Sequence, residues 1–295
     1  MNALQTLQQR YDLGEARAIY ELVLKQRFGL SRTDILLGKD TTLSAKDKEE
    51  LQIIIDRVAK GEPVQYVLGC EEFCGRTFLV NPSVLIPRPE TQLLVELVKQ
   101  NVAPGNSVLD MGTGSGCIAI TLALAGYKVT AIDVSDEALA IAKQNAEQLG
   151  ADVEFVKGDI LGNEELRIKN KVASCDMMAA ANSSFFIFHS SFDCIVSNPP
   201  YICESEASTM EENILGYEPH LALFVPDDDP LLFYRVIADY GQEHLVDEGH
   251  IFFEVNSAYA KQVGELLKQK GYKETKIVND QYDKERFVWA RKIQD

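Results

Sequence analysis

The sequence predicts an α/β fold in which a small helical domain precedes a mainly parallel sheet. Apolar residues recur at helical spacing through residues 1–62. From residue 107 onward, apolar segments of strand length alternate with segments of helical period, which is typical of a parallel sheet with crossover helices. The last two strand-like segments lie close together in the chain, so we expect an antiparallel pair that closes the sheet.

Residues 1–62 are expected to form the helical domain. A helix is predicted over residues 13–30, and Ser31 and Ser44 each precede an aspartate by three residues, which is the pattern of a helix N-cap. Apolar residues then form one face of the last helix: Leu51, Ile54, Ile55 and Val58. The pattern suits a packing cap on a larger domain as well as a domain that recognises a substrate.

Residues 63–90 are predicted to be a hairpin linker. The helical spacing stops at Pro63, and residues 64–68 and 73–80, the latter around Gly75, are interpreted as short strands. Helical spacing returns at residues 91–100. Residues 91–295 are therefore assigned to a second domain.

Strands and helices alternate through that domain. Strands are predicted at residues 107–111, 128–132, 153–156, 192–197, 250–255, 275–278 and 286–291. Helices are predicted at residues 117–125, 136–149, 230–245 and 258–270, with Ser135 and Asp229-Pro230 as caps. Residues 163–191 interrupt this alternation and are expected to be a surface insertion.

Composition limits the classes of function. The net charge of the 295 residues is −16, which argues against tight binding to a phosphate backbone, although a local basic patch would be compatible with it. The six cysteines lack C-x-x-C spacing, which favours reduced thiols over a disulfide framework or a metal site. Residues 1–14 have no signal-peptide pattern, and the longest apolar run is too short to cross a bilayer. We expect a cytoplasmic protein without a membrane partner.

Polar residues occur at the ends of successive predicted strands: Asp110, Asp133, Asp159 and Asn198. In open parallel sheets, ligands bind outside the carboxyl ends of the strands, near the point where the strand order reverses. Each of these residues alone would serve as a helix cap. Four together at one edge indicate a binding site.

The strand at residues 192–197 ends in Asn198, Pro199, Pro200 and Tyr201. Consecutive prolines cannot donate ladder hydrogen bonds, so the sheet must end there, and the residue before a proline is held extended. The side chain of Asn198 and the carbonyl groups of Asn198 and Pro199 are then acceptors for a planar group that carries an NH2, and Tyr201 offers a face for stacking. The competing interpretation is an ordinary turn.

The earlier strand is followed by a glycine-rich loop: Asp110, Met111, Gly112, Thr113, Gly114, Ser115 and Gly116. Glycines allow a sharp turn and a close approach to a ligand. The dinucleotide fingerprint is not met, because Cys117 stands at the position of its third glycine. The loop instead resembles the first motif of class I S-adenosylmethionine-dependent methyltransferases.

That resemblance implies a Rossmann-like sheet and S-adenosyl-L-methionine as the cofactor. Asp133 would accept from the ribose hydroxyls, although such a carboxylate also occurs in NAD enzymes. Asp159 and Ile160 would meet the adenine. Together with the Asn-Pro-Pro-Tyr sequence, these positions are typical of methyltransferases that act on planar amide or amino nitrogens.

Nearly the whole chain resembles the peptide chain release factor glutamine methyltransferases. The similar segments are residues 61–66 (Gly-Glu-Pro-Val-Gln-Tyr), 85–91 (Leu-Ile-Pro-Arg-Pro-Glu-Thr), 110–116, 197–202 and 217–219 (Tyr-Glu-Pro), with Ala222-Leu223. The resemblance implies methylation of the glutamine in the Gly-Gly-Gln motif of release factors, and a substrate-recognition role for the helical domain. Gln92 departs from the acid usual in the family, and the segment at 163–191 is longer than usual.

Two other functions remain open at this level. Adenine-N6 methyltransferases share the Asn-Pro-Pro-Tyr sequence, but the acidic charge and the lack of a basic recognition domain argue against nucleic acid as the substrate. An inactive protein that uses the cofactor fold for binding is the third hypothesis, and the intact glycines and Asn198 argue against it.

Overall fold

The computed structural model describes residues 3–162 and 191–293, so the predicted insertion, except for its last residue, lies outside the described part of the chain. The N-terminal helices are α1 (Ala3–Leu7), α2 (Leu13–Phe28), α3 (Arg32–Leu36), α4 (Ala45–Ala59) and α5 (Val64–Leu68). Their apolar faces form a separate hydrophobic cluster that includes Val23, Leu24 and Ile55. Ser31 and Ser44 cap α3 and α4 as predicted.

The prediction of a strand at residues 64–68 is wrong, because these residues form α5. Pro63 precedes the helix, and Gly69 ends it in the left-handed conformation at φ 74°. Both residues favour a short helix at their respective ends. A hairpin of β1 (Cys70–Phe73) and β2 (Arg76–Leu79) follows, around Cys74 and Gly75 as expected.

A seven-stranded sheet forms the centre of the described C-terminal part. Its strands are β3 (Ser107–Met111), β4 (Lys128–Asp133), β5 (Val153–Lys157), β6 (Phe192–Ser197), β9 (Leu245–Glu254), β10 (Lys273–Asn279) and β11 (Glu285–Arg291). The order is β10-β11-β9-β6-β3-β4-β5, and β11 alone runs antiparallel to its neighbours within this sheet. This topology confirms the predicted fold class. Two short strands, β7 (Ile202–Cys203) and β8 (Phe224–Val225), pair beside it.

Helices cover both faces of the sheet: α6 (Pro89–Asn101), α7 (Cys117–Leu124), α8 (Asp136–Leu149), α10 (Leu232–His244) and α11 (Ala260–Gln269). The short helix α9 (Glu212–Tyr217) has no buried residue. Adjacent residues of β3 face different cores: Val108 packs with the cluster that contains α6 and α7 residues, and Leu109 with the cluster that contains α10 and α11 residues. A sheet buried on both faces explains why its strands are nearly continuous apolar runs.

The predicted cap at Asp229-Pro230 is also wrong. Helix α10 begins two residues later, and Leu231 at its N-cap position makes no side-chain cap bond. The Asp229 carboxylate instead forms an ion pair with Arg235, which lies in the first turn of α10. Ser135, by contrast, caps α8 by accepting from the Ala138 N–H. Over the ranges that the structure describes, no helix combines the length and the apolar character needed to cross a membrane.

Candidate active site

The site lies where the strand order reverses. Strand β3 is flanked by β4 on one side and by β6 on the other, and both neighbours are parallel to it. Asp110 is paired in register with Val196, so the loops that follow β3 and β6 leave the same edge side by side. The Ser197 hydroxyl donates to the Met111 carbonyl at 2.5 Å and joins the two loops directly. This is the position at which open parallel sheets bind ligands.

The glycine-rich loop has the backbone conformation that its sequence predicts. Gly112, Gly114 and Gly116 have φ values of 81°, 55° and 81°, in the region that disfavours side chains. Gly116 also lies against the next helices, because a Cβ there would stand 2.8 Å from Ile120 Cδ1 and 3.1 Å from Ala142 Cβ. The three glycines therefore allow the backbone turn, and Gly116 also allows the loop to pack closely against α7 and α8.

Asp133 holds the loop in place. One carboxylate oxygen accepts from the Gly114 N–H at 2.8 Å, and the other accepts from the Ser135 N–H at 3.0 Å. The side chain is half-buried at the end of β4. Carboxylate oxygens accept more than one hydrogen bond each, so this geometry leaves acceptor capacity for ribose hydroxyls.

Asp110 is fully buried below the loop. Its Oδ2 accepts from the Thr113 hydroxyl at 2.6 Å, and its Oδ1 has no hydrogen-bond partner of ordinary geometry in the described residues. Burial raises the pKa of Asp110 to about 7, although the bond from Thr113 and the Ala119 N–H favour the ionised form. A buried oxygen of this kind fits an ammonium or N–H donor of a bound cofactor.

The other predicted cofactor residues differ in their exposure. Thr113 and Ser115 are buried, so they shape the loop. The Ser115 carbonyl accepts from Asn145 Nδ2 at 2.9 Å. Asp159 is exposed beyond β5, where its carboxylate accepts from the Leu161 N–H at 2.8 Å. Ile160 borders the loop, because a Cβ on Gly112 would lie 4.0 Å from its Cδ1. It supplies an apolar wall at the mouth of the loop.

Asn198 is half-buried at the tip of β6, and Pro199 after it is buried. The Asn198 Nδ2 donates to Thr91 Oγ1 at 3.3 Å. Among the described residues, no backbone hydrogen bond is made to the carbonyl groups of Asn198 or Pro199. The corner thus presents free carbonyl oxygens as hydrogen-bond acceptors. A substrate NH2 group, which has two N–H donors, requires two such acceptors.

Thr91 and Glu254, which the pattern of polar strand ends missed, make hydrogen bonds to residues of this corner. Glu254, at the end of β9, accepts from the Thr91 hydroxyl at 2.7 Å and from the Tyr201 hydroxyl at 3.3 Å. Glu254 is 1% exposed. Burial raises its pKa to about 7, and the bond from Thr91, the charge of Arg286 and the bond from Tyr201 oppose this. Its position at a strand end was the signal in the sequence that could have found it.

Comparisons with known proteins give matches over nearly the whole chain. Residues 1–69 match the PrmC N-terminal domain family, and residues 108–207 match a methyltransferase domain family. The release factor glutamine methyltransferase of Bacteroides thetaiotaomicron is 42% identical over 290 residues, which cover 98% of this chain and 97% of the relative. That of Flavobacterium psychrophilum is 37% identical, with 97% and 95% covered.

Among solved structures, a methyltransferase from Pyrococcus furiosus aligns with a TM-score of 0.51 at 18% identity. The alignment covers 75% of this chain and 91% of that protein. At this identity the likeness concerns the fold alone.

Proposed function

The chain belongs to the release factor glutamine methyltransferase family, and from this premise we propose its reaction. It transfers a methyl group from S-adenosylmethionine to the side-chain amide nitrogen of the glutamine in the Gly-Gly-Gln motif of peptide chain release factors. The observation that carries the proposal is the juxtaposition of the glycine-rich loop after β3 with the acceptor-rich corner after β6.

The loop residues would hold the cofactor. The turn from Gly112 to Gly116, with Thr113, Gly114 and Ser115 between them, lets the backbone approach the methionine part, and Asp110 Oδ1 accepts from its ammonium group. This proposal suits the loop because Asp110 Oδ1 is buried and has no hydrogen-bond partner of ordinary geometry among the described residues. S-adenosylmethionine supplies a methyl group on a positively charged sulfur.

The remaining cofactor contacts lie at the next two strand ends. Asp133 accepts from the ribose hydroxyls, and Asp159 and Ile160 receive the adenine. The apolar side chain of Ile160 beside Gly112 supports a place for a flat ring.

The corner after β6 would bind the glutamine amide. An amide nitrogen is a weak nucleophile because its lone pair is delocalised into the carbonyl group. Asn198 Oδ1 and the Pro199 carbonyl accept hydrogen bonds from its two N–H groups. These bonds hold the nitrogen in line with the methyl group and increase the electron density on the nitrogen. Pro199 and Pro200 keep these acceptors rigid, and Tyr201 packs against the amide plane.

Charge moves during the transfer. As the nitrogen takes up the methyl group, it would gain the positive charge that the sulfur gives up, and Asn198 Oδ1 and the Pro199 carbonyl would stabilise that charge. The methylated nitrogen would then release one of its two protons to solvent water and become a neutral amide again, with S-adenosylhomocysteine as the other product. The alignment of the two groups, rather than a strong base, carries the rate.

We assign substrate recognition to the helical domain at residues 1–62, which the hairpin linker at residues 63–90 joins to the catalytic domain at residues 91–295. The separate hydrophobic cluster of α1–α5 supports a helical domain distinct from the sheet. Because Val64 of α5 belongs to this cluster, the domain's packing extends into the first residues of the linker segment. A single glutamine offers little binding energy, so a second contact with the release factor would hold its loop at the corner. The place of action would be the cytoplasm, where release factors work.

The test offers two substrates to one enzyme. Purified release factor and duplex DNA are incubated with the protein and S-adenosylmethionine labelled in its methyl group, and the products are analysed by mass spectrometry. We expect one labelled methyl group on the Gly-Gly-Gln glutamine and none on adenine. A release factor with that glutamine replaced by asparagine is the matched control. Label in DNA with an unmodified glutamine would favour the adenine-N6 reaction instead.

A further inference from the structure

We propose that Thr91 and Glu254 are positioning residues that determine which end of the Asn198 carboxamide faces the substrate. The inference rests on the proposed function, since it concerns the corner that binds the glutamine amide. It assigns a role to a threonine from a different segment and to a glutamate from a different strand, both of which would act through Asn198.

The topology brings the three residues together. Strands β6 and β9 are parallel neighbours, and Ser197 is paired in register with Phe253. Asn198 follows β6 directly, and Glu254 is the last residue of β9, so these two residues lie side by side at the same edge. Thr91 arrives from the first turn of α6 and contacts both of them.

The direction of the hydrogen bonds follows from the chemistry of the groups. An ionised carboxylate only accepts, so the single proton of the Thr91 hydroxyl is donated to Glu254 Oε2 at 2.7 Å. The Thr91 oxygen then has only lone pairs to offer to a second partner. Its 3.3 Å contact with Asn198 therefore selects the NH2 end of the carboxamide. The carbonyl oxygen of Asn198 is left to accept from the substrate.

Glu254 also contacts the Asn-Pro-Pro-Tyr corner through a hydrogen bond with Tyr201. The Tyr201 hydroxyl donates to the other carboxylate oxygen, Oε1, at 3.3 Å. The Glu254 backbone is held as well, because its carbonyl accepts from the Tyr234 hydroxyl at 3.3 Å. One buried, fixed carboxylate thus orients two residues of the Asn-Pro-Pro-Tyr segment.

The reverse arrangement would inactivate the corner. If the Thr91 proton pointed to Asn198, the carboxamide would turn its oxygen to Thr91 and its NH2 to the substrate. Two NH2 groups would then face each other, and the substrate amide would lose an acceptor. The order Glu254, Thr91, Asn198 prevents this as long as the carboxylate is ionised.

The chain offers a matched control for Thr91. Thr121 on α7 is also buried, at 3% exposure compared with 2% for Thr91. Its Oγ1 has no hydrogen-bond partner in the described ranges. Replacement of either threonine by valine removes one buried hydroxyl at almost constant shape. Only the change at residue 91 removes a hydroxyl that is bonded to the corner.

The experiment compares Thr91→Val, Thr91→Ser and Thr121→Val in the full-length protein. Turnover is measured with release factor at saturating S-adenosylmethionine, and cofactor affinity is measured by calorimetry on the same samples. We expect Thr91→Val to lower kcat about 10-fold to 100-fold, as for a misaligned reacting group, with cofactor affinity unchanged. Thr91→Ser restores most of kcat, and Thr121→Val behaves as the wild type.

Three results would overturn the inference. The first is a kcat of Thr91→Val equal to that of the wild type, and the second is a kcat of Thr91→Ser as low as that of Thr91→Val. The third is a cofactor affinity of Thr91→Val that falls in parallel with its kcat, because this would show a general structural effect. A wild-type enzyme that leaves the glutamine unmodified would overturn the proposed function and this inference together. An active wild type with an equally active Thr91→Val would overturn the inference alone.

Discussion

Arg88 and Glu218 form an ion pair across 130 residues of sequence, with Nη2 and Oε1 2.6 Å apart. The Glu218 side chain is 1% exposed, and that of Arg88 is 31% exposed. The pair fastens the N-terminus of α6, where Arg88 is the N-cap residue and Thr91 lies in the first turn, to the segment that follows the Asn-Pro-Pro-Tyr corner. Two of the motifs that were recognised separately in the sequence, residues 85–91 and 217–219, are therefore one structural unit.

The two partners of this pair should differ in their effect on stability. Arg88→Ala leaves a buried carboxylate without its cation, and we expect a loss of about 3 kcal/mol in the free energy of unfolding, near the low end for a broken buried pair. Glu218→Gln leaves an arginine that reaches solvent, so the loss is smaller. Urea denaturation measures both. Arg57→Ala removes an exposed pair with Glu62 and should cost about 1 kcal/mol or less.

An equal loss for Arg88→Ala and Arg57→Ala would contradict the structural role of the buried pair. The same samples test its functional consequence, because a loosened segment would carry Thr91 away from Asn198.

Asp133 is predicted to control cofactor affinity. Asp133→Ala removes the acceptor for the Gly114 and Ser135 N–H groups and the proposed acceptor for the ribose. We expect S-adenosylmethionine to bind more weakly by about 1.5–3 kcal/mol, as for lost hydrogen bonds to a charged group. Calorimetry measures the change. Asp136→Ala, three residues further on the exposed side of α8, is the control and should bind normally; unchanged affinity in Asp133→Ala would remove this residue from the site.

Asn198 should separate binding from chemistry. Asn198→Ala is expected to lose about 100-fold or more in turnover, as for one lost preorganised polar contact, while cofactor affinity changes little. Tyr201→Ala should be the milder variant, because the tyrosine packs beside the amide and does not accept its protons. Asn101→Ala, at the far end of α6, is the control. Near-normal turnover in Asn198→Ala would mean that the corner is only a turn.

Turnover should rise with pH through the titration of Glu254. Burial raises the pKa of its carboxyl group to about 7. Thr91 and Tyr201 donate to it and Arg286 favours its ionised form, whereas Glu90 disfavours it. Only the ionised form accepts from both donors, so kcat at saturating cofactor increases as pH rises through about 7. Glu254→Gln cannot titrate, and a rise of the same shape in that variant would assign it to another group.

Stability should change with pH in the opposite direction. The pKa of Glu254 is raised from 4.5 to about 7 on folding, so the folded state binds its proton more tightly. The stabilisation is complete below the unfolded pKa and is lost as pH rises through about 7, on the order of 3 kcal/mol at most. Asp110 contributes with the same sign. Urea denaturation at pH 5 and pH 8 should show a smaller difference for Glu254→Gln than for the wild type, and an equal difference would argue against the buried titration.

The local features of the site could be predicted because each has a short-range cause. Positive φ values favour glycine at residues 112, 114 and 116, and the two prolines that follow Asn198 end β6 at Ser197. The predictions failed where a local pattern has two solutions. Residues 64–68 are too few for a helical period to be told from a strand, and the terminal residues Pro63 and Gly69 selected the helix.

By itself, then, the sequence determined the alternation of strands and helices, the glycine-rich loop and the acceptor-rich corner, because these depend on neighbours along the chain. Only the tertiary structure decided which polar groups meet. Thr91 lies 107 residues from Asn198 and 163 from Glu254, and no local pattern encodes their contact. The parallel placement of β6 between β3 and β9 brings the strand ends to one edge, and burial there obliges each polar group to find a partner.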